Sequence, residues 1–382
     1  MSAGILLVST TLDWPFPAQL AAAFTDVGAY VEALRPARGL LARSRYPSRM
    51  HDYYPIVAMD SLTSAISAAR PDMIIPCDDQ AAELVNRSRG VPTMGRMEFL
   101  DAAAKAGAPA AASTALNSEE ELEEAMRQLG LPLVIKCDNS WGGEGVVIAA
   151  TREEARAAFR RMKNPSRLRD AARAIRGRGP HFLTRALTPA PVRISAQAFI
   201  TGAAATSSIA CWQGKVVASH HFDVLLSTTP TSPACVIAHV PCPQMEASAI
   251  AIAAALNLSG LFGLDYIRDA RDQVHLLEMN ARATPTTHLA LDEDLPAALL
   301  QAAGLGGRTR PAVTDRSEIA LFPREWLRDP RSPWFGRAFH DVPWDDHDVV
   351  RACVRAAPPA VRALLESAPG PVLTAKRSVF GG

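Results

Sequence analysis

Apolar and polar positions at the start of the chain follow a regular succession. Ile5–Ser9, Tyr30–Leu34 and Met73–Pro76 are short apolar runs that read as strands, and Pro17–Gly28 and Ser61–Ala69 carry helical spacing between them. Strands alternating with helices predict a small parallel sheet covered by helices. No Gly-x-Gly-x-x-Gly follows the first strand, so a dinucleotide site is not supported. Cys77-Asp78-Asp79 falls at the carboxyl end of the last of these strands, where open sheets present functional groups. Capping of a following helix is an equally good use of the two aspartates.

A second pattern lies between Gly263 and Arg282. Two apolar runs flank the polar cluster Arg268–Gln273, which predicts an antiparallel hairpin. With the turn centred between Arg271 and Asp272, Asp265 faces Glu278. Side chains repeat every two residues, so Asn280 and Arg282 share the face of Glu278, while Leu277, Met279 and Ala281 take the other. Two carboxylates set opposite each other repel, and near an interior they are costly unless a cation or proton intervenes. Asp265, Glu278 and the Asn280 amide oxygen are ligands suited to Mg2+ (or Mn2+), an ion that completes its shell with water and substrate phosphates. The plain alternative is a solvent-facing hairpin with a charged outer face.

A third pattern lies upstream. The apolar run Leu131–Lys136 leads into Asn139-Ser-Trp-Gly-Gly-Glu-Gly145, and a second apolar run, Val146–Ala150, comes next. This reads as strand, glycine loop and strand. Gly142, Gly143 and Gly145 allow main-chain N–H groups to approach an anion, and Lys136 supplies a positive charge. A simple glycine-rich hairpin turn is the competing reading. It is not a Walker loop, since no Gly-Lys-Ser/Thr follows.

Together these segments resemble the ATP-grasp superfamily, in the branch with the ATP-binding parts of carbamoyl-phosphate synthetase and biotin carboxylase. The resemblance runs from about Gly95 to Ala303. It implies an α/β (α+β) ATP-grasp fold preceded by a small Rossmann-like parallel-sheet domain. The expected divisions are 1–92, an ATP-grasp unit 93–303 with a lid at about 126–200, and a C-terminal appendage 304–382. By the same resemblance Lys136 and the glycine loop hold the phosphates of ATP, Asp265, Glu278 and Asn280 bind magnesium, and Arg282 steadies charge on the transferring phosphoryl group. Arg96, eleven residues before the Gly107-Ala-Pro109 that closes a helix, resembles the residue on the inner phosphates. The activity implied is an ADP-forming ligase joining a small-molecule carboxylate to an amine through an acylphosphate. Activation of bicarbonate or a hydroxyl, and a non-catalytic ATP-binding role, are the alternatives.

The adenine-binding stretch departs from the family pattern. A glutamate usually precedes a Phe/Tyr-Ile-x-Gly turn, but here the text is Ser195-Ala-Gln-Ala-Phe-Ile-Thr-Gly202. Gln197, with Phe199 and Ile200, is the nearest substitute, and Thr184–Leu187 is a rival placement. After Gly202 comes Ala203-Ala-Ala205 where the family commonly has an acid, and a strand resumes across a turn at Gly214. Thr284, Thr286, Thr287 and His288, following Arg282, lie where substrate and γ-phosphate are expected to meet.

Composition narrows the class further. The chain has 382 residues, 48% of them apolar, enough for two or three domains. A net charge of +1 supplies no field for nucleic acid or membrane. Arginines gather between Arg152 and Arg178, read as a solvated helical face with a break at Asn164-Pro165. The six cysteines lack Cys-x-x-Cys spacing, which argues against zinc or a disulfide framework. No His-x-x-x-His pair or nearby acid turns His220-His221 into a metal site, and the two read as structural. No signal-like or membrane-length apolar run is present, so a cytoplasmic protein is expected. Beyond Ala303, Trp326, Trp334 and Trp344 punctuate a Pro- and Arg-rich segment that fits packing best, with a homodimer surface or a lid as alternatives; Val350–Glu366 reads as a closing helix.

Overall fold

The computed structural model describes residues 2–138, 145–164, 192–355, 357, 359 and 361. The first unit contains β1 (Gly4–Val8), α1 (Phe16–Asp26), β2 (Tyr30–Arg35), β3 (Arg49–Asp52), α2 (Ala58–Ala69), β4 (Met73–Pro76) and α3 (Asp79–Ser88). Its four strands are parallel in the order β3-β2-β1-β4. Leu6 and Val8 pack to one side and Ile5 and Leu7 to the other, as expected of a strand covered on both faces. The element not foreseen is β3, whose Arg-Met-His-Asp text has no apolar run, while α3 is the helix that the capping reading of the two aspartates expected. Asp78 caps α3, its carboxylate accepting from the Ala81 N–H. Chain order reverses at β1, so the crevice beyond the carboxyl ends of β1 and β4 is the switch point.

After α4 (Arg96–Lys105) comes a small sheet of β5 (Ser113–Leu116), β6 (Leu133–Cys137), β7 (Val146–Ala149) and β8 (Ile194–Ala198), antiparallel in the order β5-β8-β6-β7. Helices α5 (Glu119–Leu129) and α6 (Arg152–Lys163) share its core through Leu122, Met126, Phe159 and Met162. The sheet thus begins at Ser113, before the expected lid boundary at 126. The outward arginines of α6 meet the glutamates of α5, Arg156 with Glu123 and Arg160 with Glu119, each at 2.7 Å. Asn164 ends α6; the remainder of the Arg152–Arg178 run lies outside the described residues.

The central sheet takes the order β13-β12-β9-β10-β11-β14-β15. Its strands are β9 (Gly202–Trp212), β10 (Lys215–Ser227), β11 (Ala234–His239), β12 (Gly260–Asp269), β13 (Val274–Asn280), β14 (Glu318–Leu321) and β15 (Phe339–Asp341). Helices α7 (Pro243–Leu256), α8 (Leu295–Ala302), α9 (Arg324–Arg328) and α10 (His347–Val354) accompany them. The β9–β10 turn has positive φ at Gln213 and Gly214, the geometry that suits a two-residue hairpin. Residues 304–382, expected as an appendage, instead supply β14 and β15, which cover the edge β11 would otherwise leave open. The three-residue β15, Phe-His-Asp, has no apolar run to be read from sequence. The expected closing helix is seen as α10, which starts at His347 and ends at Val354; most residues beyond it lie outside the described ones. None of the six cysteines is in a disulfide. No helix among the described residues is long and apolar enough to cross a membrane.

Candidate active site

The hairpin forms in the expected register, with Asp265 paired to Glu278 and Gly263 to Asn280. One feature was not foreseen: Asp265 pairs with Glu278 while Tyr266 pairs with Leu276, so Leu277 is an extra residue bulged out of β13. Simple alternation would put Val274 and Leu276 on the face of Glu278. Both are buried in the apolar core with Leu264 and Tyr266 instead. The bulge inverts the phase, turning Glu278 and Asn280 to the polar side while Met279 stays against the core. Residue types gave no cue to this insertion.

Asp265 is held by Thr206 and Asn280. The Thr206 hydroxyl donates to one carboxylate oxygen at 2.8 Å, and the Asn280 amide donates to the other at 2.9 Å. Burial, followed by the charge of Glu278, holds the Asp265 carboxyl above its usual pKa. Glu278 meets cations instead. Arg96 Nη2 lies 3.0 Å from it and Lys136 Nζ 3.7 Å. Burial would raise Glu278, but Lys136 and Arg96 outweigh it and the carboxyl lies below its ordinary value. Lys136, 4% exposed on β6, is lowered by burial against the pull of Glu278.

Arg96, the first residue of α4, also reaches Asp138 at 3.0 Å. Asp138, directly after β6, and Thr206 are site residues that sequence reasoning passed over. Thr206 becomes visible only once three strands are in register, since β9 sets it beside Asp265. Arg96, Lys136 and Glu278 thus come together from α4, the small sheet and the central sheet.

Arg282 is buried. Its Nε donates to Asp79 at 3.0 Å, Nη2 to the Asn280 side-chain oxygen at 3.1 Å and Nη1 to the Ala283 carbonyl at 3.2 Å. Burial opposes the charge, yet Asp79 outweighs it and raises the guanidinium pKa. The indole of Trp14 lies 5.4 Å from the guanidinium carbon. In the loop after Arg282 the polar groups satisfy one another. Ser208 bonds Thr284 and Thr286, the Thr284 N–H donates to Thr287, and His288 bonds Asp341 at 2.8 Å. These residues anchor the loop to the sheet and to β15.

Gly142 and Gly143 lie outside the described residues, as does the rival stretch Thr184–Leu187. Gly145 is buried at the foot of the loop, its carbonyl accepting from the Cys137 N–H. Gln197 on β8 is buried, with its amide nitrogen on Ser113 at 3.0 Å and on the Leu277 carbonyl at 3.3 Å. Phe199 and Ile200 form the link between the small and central sheets, with Phe199 exposed. Folding brings acids to His220-His221: Glu246 lies 2.9 Å from His221 and Asp292 lies 3.5 Å from His220.

The donors available to a hard cation are therefore two carboxylates and one amide. Among the described residues no group of three or more His, Cys, Asp or Glu side chains is placed to hold a metal. The oxygen-only chemistry of Asp265, Glu278 and Asn280, and the burial and Glu278 charge that together raise Asp265, fit magnesium. Asn280 as placed gives its nitrogen to Asp265 and its oxygen to Arg282, so a cation on Asp265 needs the amide turned over.

Residues 95–294 match the family described as carbamoyl-phosphate synthase L chain, ATP binding domain. A curated relative, formate-dependent phosphoribosylglycinamide formyltransferase of Ignicoccus hospitalis, is 30% identical over 135 residues, 33% of this chain and 34% of that protein. The chain thus spans about a third of that relative's length. Among solved structures, the ADP complex of N5-carboxyaminoimidazole synthetase from Staphylococcus aureus has a TM-score of 0.58 at 11% identity, covering 82% of this chain and 80% of that one. L-amino acid ligase from Bacillus licheniformis has a TM-score of 0.56 at 14% identity, covering 81% and 78%. At such identities the likeness is one of fold. The match across more than half of the chain, on the segment that carries Arg96, Lys136, Asp265, Glu278 and Arg282, places it plainly: the chain belongs to the carbamoyl-phosphate synthase L chain ATP-binding domain family, within the ATP-grasp superfamily.

Proposed function

We propose that this protein is a magnesium-dependent, ADP-forming ligase that joins a small carboxylate to an amine. The observation carrying this reading is the convergence of Arg96, Lys136 and Glu278, next to the Asp265–Asn280–Arg282 chain, at one crevice. Arg96 and Lys136 are paired with a carboxylate and positioned to take up polyphosphate. Asp265, Glu278 and Asn280 would hold magnesium, which when bound neutralises phosphate oxygens and orients the nucleotide. Arg282 would meet charge developing on the γ-phosphoryl group. Gly142, Gly143 and Gly145 are proposed as the phosphate-covering loop, and Gln197, Phe199 and Ile200 as the adenine side.

An oxygen of the substrate carboxylate attacks the γ-phosphorus and the bond to the bridging β–γ oxygen breaks, releasing ADP. The amine nitrogen then attacks the acyl carbon, phosphate leaves, and the nitrogen gives up a proton. Protein groups need only position reactants and stabilise charge. The formate dependence named for the curated relative supports a small acid as the activated partner.

The test is magnesium-dependent ADP release from ATP with pools of small carboxylates and amino acids. Release should require one acid and one amine, and Glu278→Gln should abolish it while the variant stays folded by circular dichroism. Unchanged turnover in that variant would remove the metal assignment. ADP release with bicarbonate or an alcohol alone would replace the ligase reading.

A further inference from the structure

Arg282 belongs to the ATP-grasp unit, yet the carboxylate and the aromatic face that meet its guanidinium come from the N-terminal unit. We propose that Asp79 is a positioning residue for the ligase reaction, fixing Arg282 so that its Nη edge faces Asn280 and the metal carboxylates. This inference rests on the ligase reading above.

The Arg282–Asp79 pair carries the argument, and with the Asn280 amide as placed it closes a continuous chain of side-chain hydrogen bonds. It runs from Thr206 to Asp265, from Asp265 to Asn280, from Asn280 to Arg282 and from Arg282 to Asp79. Among the described residues, Asp79 is the carboxylate within ion-pair distance of Arg282. The Nε bond to Asp79 settles the rotation of the planar fork, and the Ala283 carbonyl and Trp14 face restrict it further. The backbone that carries Asp79 is itself held in place. Asp79 is the first residue of α3, behind an N-cap whose carboxylate accepts from the Thr10 N–H at 2.7 Å, the Thr10 hydroxyl at 2.8 Å and the Ala81 N–H at 2.9 Å. The Ala283 N–H donates to the Pro76 carbonyl at 3.0 Å, locking the same two segments through main chain. The crevice at the switch point of the parallel sheet thus reaches across to orient the arginine. A buried guanidinium with no fixed partner would sample several rotamers, and its charge would be spread away from the transferring phosphoryl group.

Asp79→Ala should lower kcat at least tenfold with KM for MgATP within twofold of wild type. Asp79→Asn keeps an acceptor oxygen for Nε and should recover most of that loss, which a purely structural role would not predict. A second readout needs no turnover: in nitrogen-15 spectra, an exchange-protected Arg282 Nε–H, assigned through Arg282→Lys, should persist in Asp79→Asn and vanish in Asp79→Ala. Unchanged kcat in Asp79→Ala, a parallel loss of MgADP binding and thermal stability in both variants, or no protected resonance in wild type would each overturn the inference. If wild type releases no ADP with any substrate pair, the ligase reading fails while the spectra still decide whether Asp79 holds Arg282.

Discussion

His220 sits in the middle of β10 with no exposed surface. Its Nε2 donates to the Glu293 carbonyl at 3.1 Å, Nδ1 has no partner, and the rings of His239 and Phe222 stand 5.4 and 6.0 Å away. Burial, then the proximity of His239, lowers its pKa to about 4. In the unfolded chain the ring takes a proton near its ordinary value of 6.5, so unfolding between pH 6.5 and 4 takes up a proton. Stability from this group is therefore complete above pH 6.5 and falls as pH drops toward 4. One pKa unit corresponds to roughly 1.4 kcal/mol, so moving from pH 7 to 5 should remove about 2 kcal/mol through His220. Urea unfolding at the two pH values should show a smaller loss in His220→Gln, which can still donate to the Glu293 carbonyl; an equal loss would refute the assignment.

The strand β12 shows what an element contributes beyond its residues. A Cβ on Gly263 would collide with the Thr284 methyl, so this glycine is what lets the loop after Arg282 lie flat on the sheet. Thr284 is buried and bonded to Ser208, leaving it little room to yield. Gly263→Ala should cost about 1–3 kcal/mol as an overpacking change. It should also weaken MgADP binding by shifting the loop and Asn280, the pairing partner of Gly263; unaltered thermal unfolding and nucleotide affinity would contradict this. Nothing in the text around Gly263 announces that contact, because it joins two segments through space. The Asp265–Glu278 pairing, by contrast, was legible, since a turn and a period of two determine it. The bulge at Leu277 was not, because a one-residue insertion leaves composition and apolar run length unchanged. Lys136 and Arg282 could be picked out by type and spacing, and Arg96 through the family resemblance. Asp138 and Thr206 could not, and Asp79, though marked by its place at the carboxyl end of β4, gave no sign of its partner Arg282, since these partners come from other elements.

At the scale of the molecule, the C-terminal segment joins the other units. Gln19 on α1 donates to the Asp341 carbonyl, the Asp341 carboxylate receives His288, and Ser44 bonds Asp346. Phe322, Trp326, Val342 and Val350 form a core of their own, while Ile319 and Leu321 pack with Phe222 and Ile237 of the central sheet and with Leu289 in the loop after Arg282. Ending the chain after Gly304 would strip both strands from β11 and expose that apolar cluster together with a hydrogen-bonding edge. The shortened protein should therefore partition into the insoluble fraction on expression, and co-expression with residues 305–382 as a separate chain should return it to solution. A soluble, monomeric 1–304 fragment with native circular dichroism would show that the N-terminal and ATP-grasp units complete their fold unaided. The segment would then be a detachable addition, and the contacts of Asp341 with α1 and with the loop after Arg282 would be incidental to how the crevice is held.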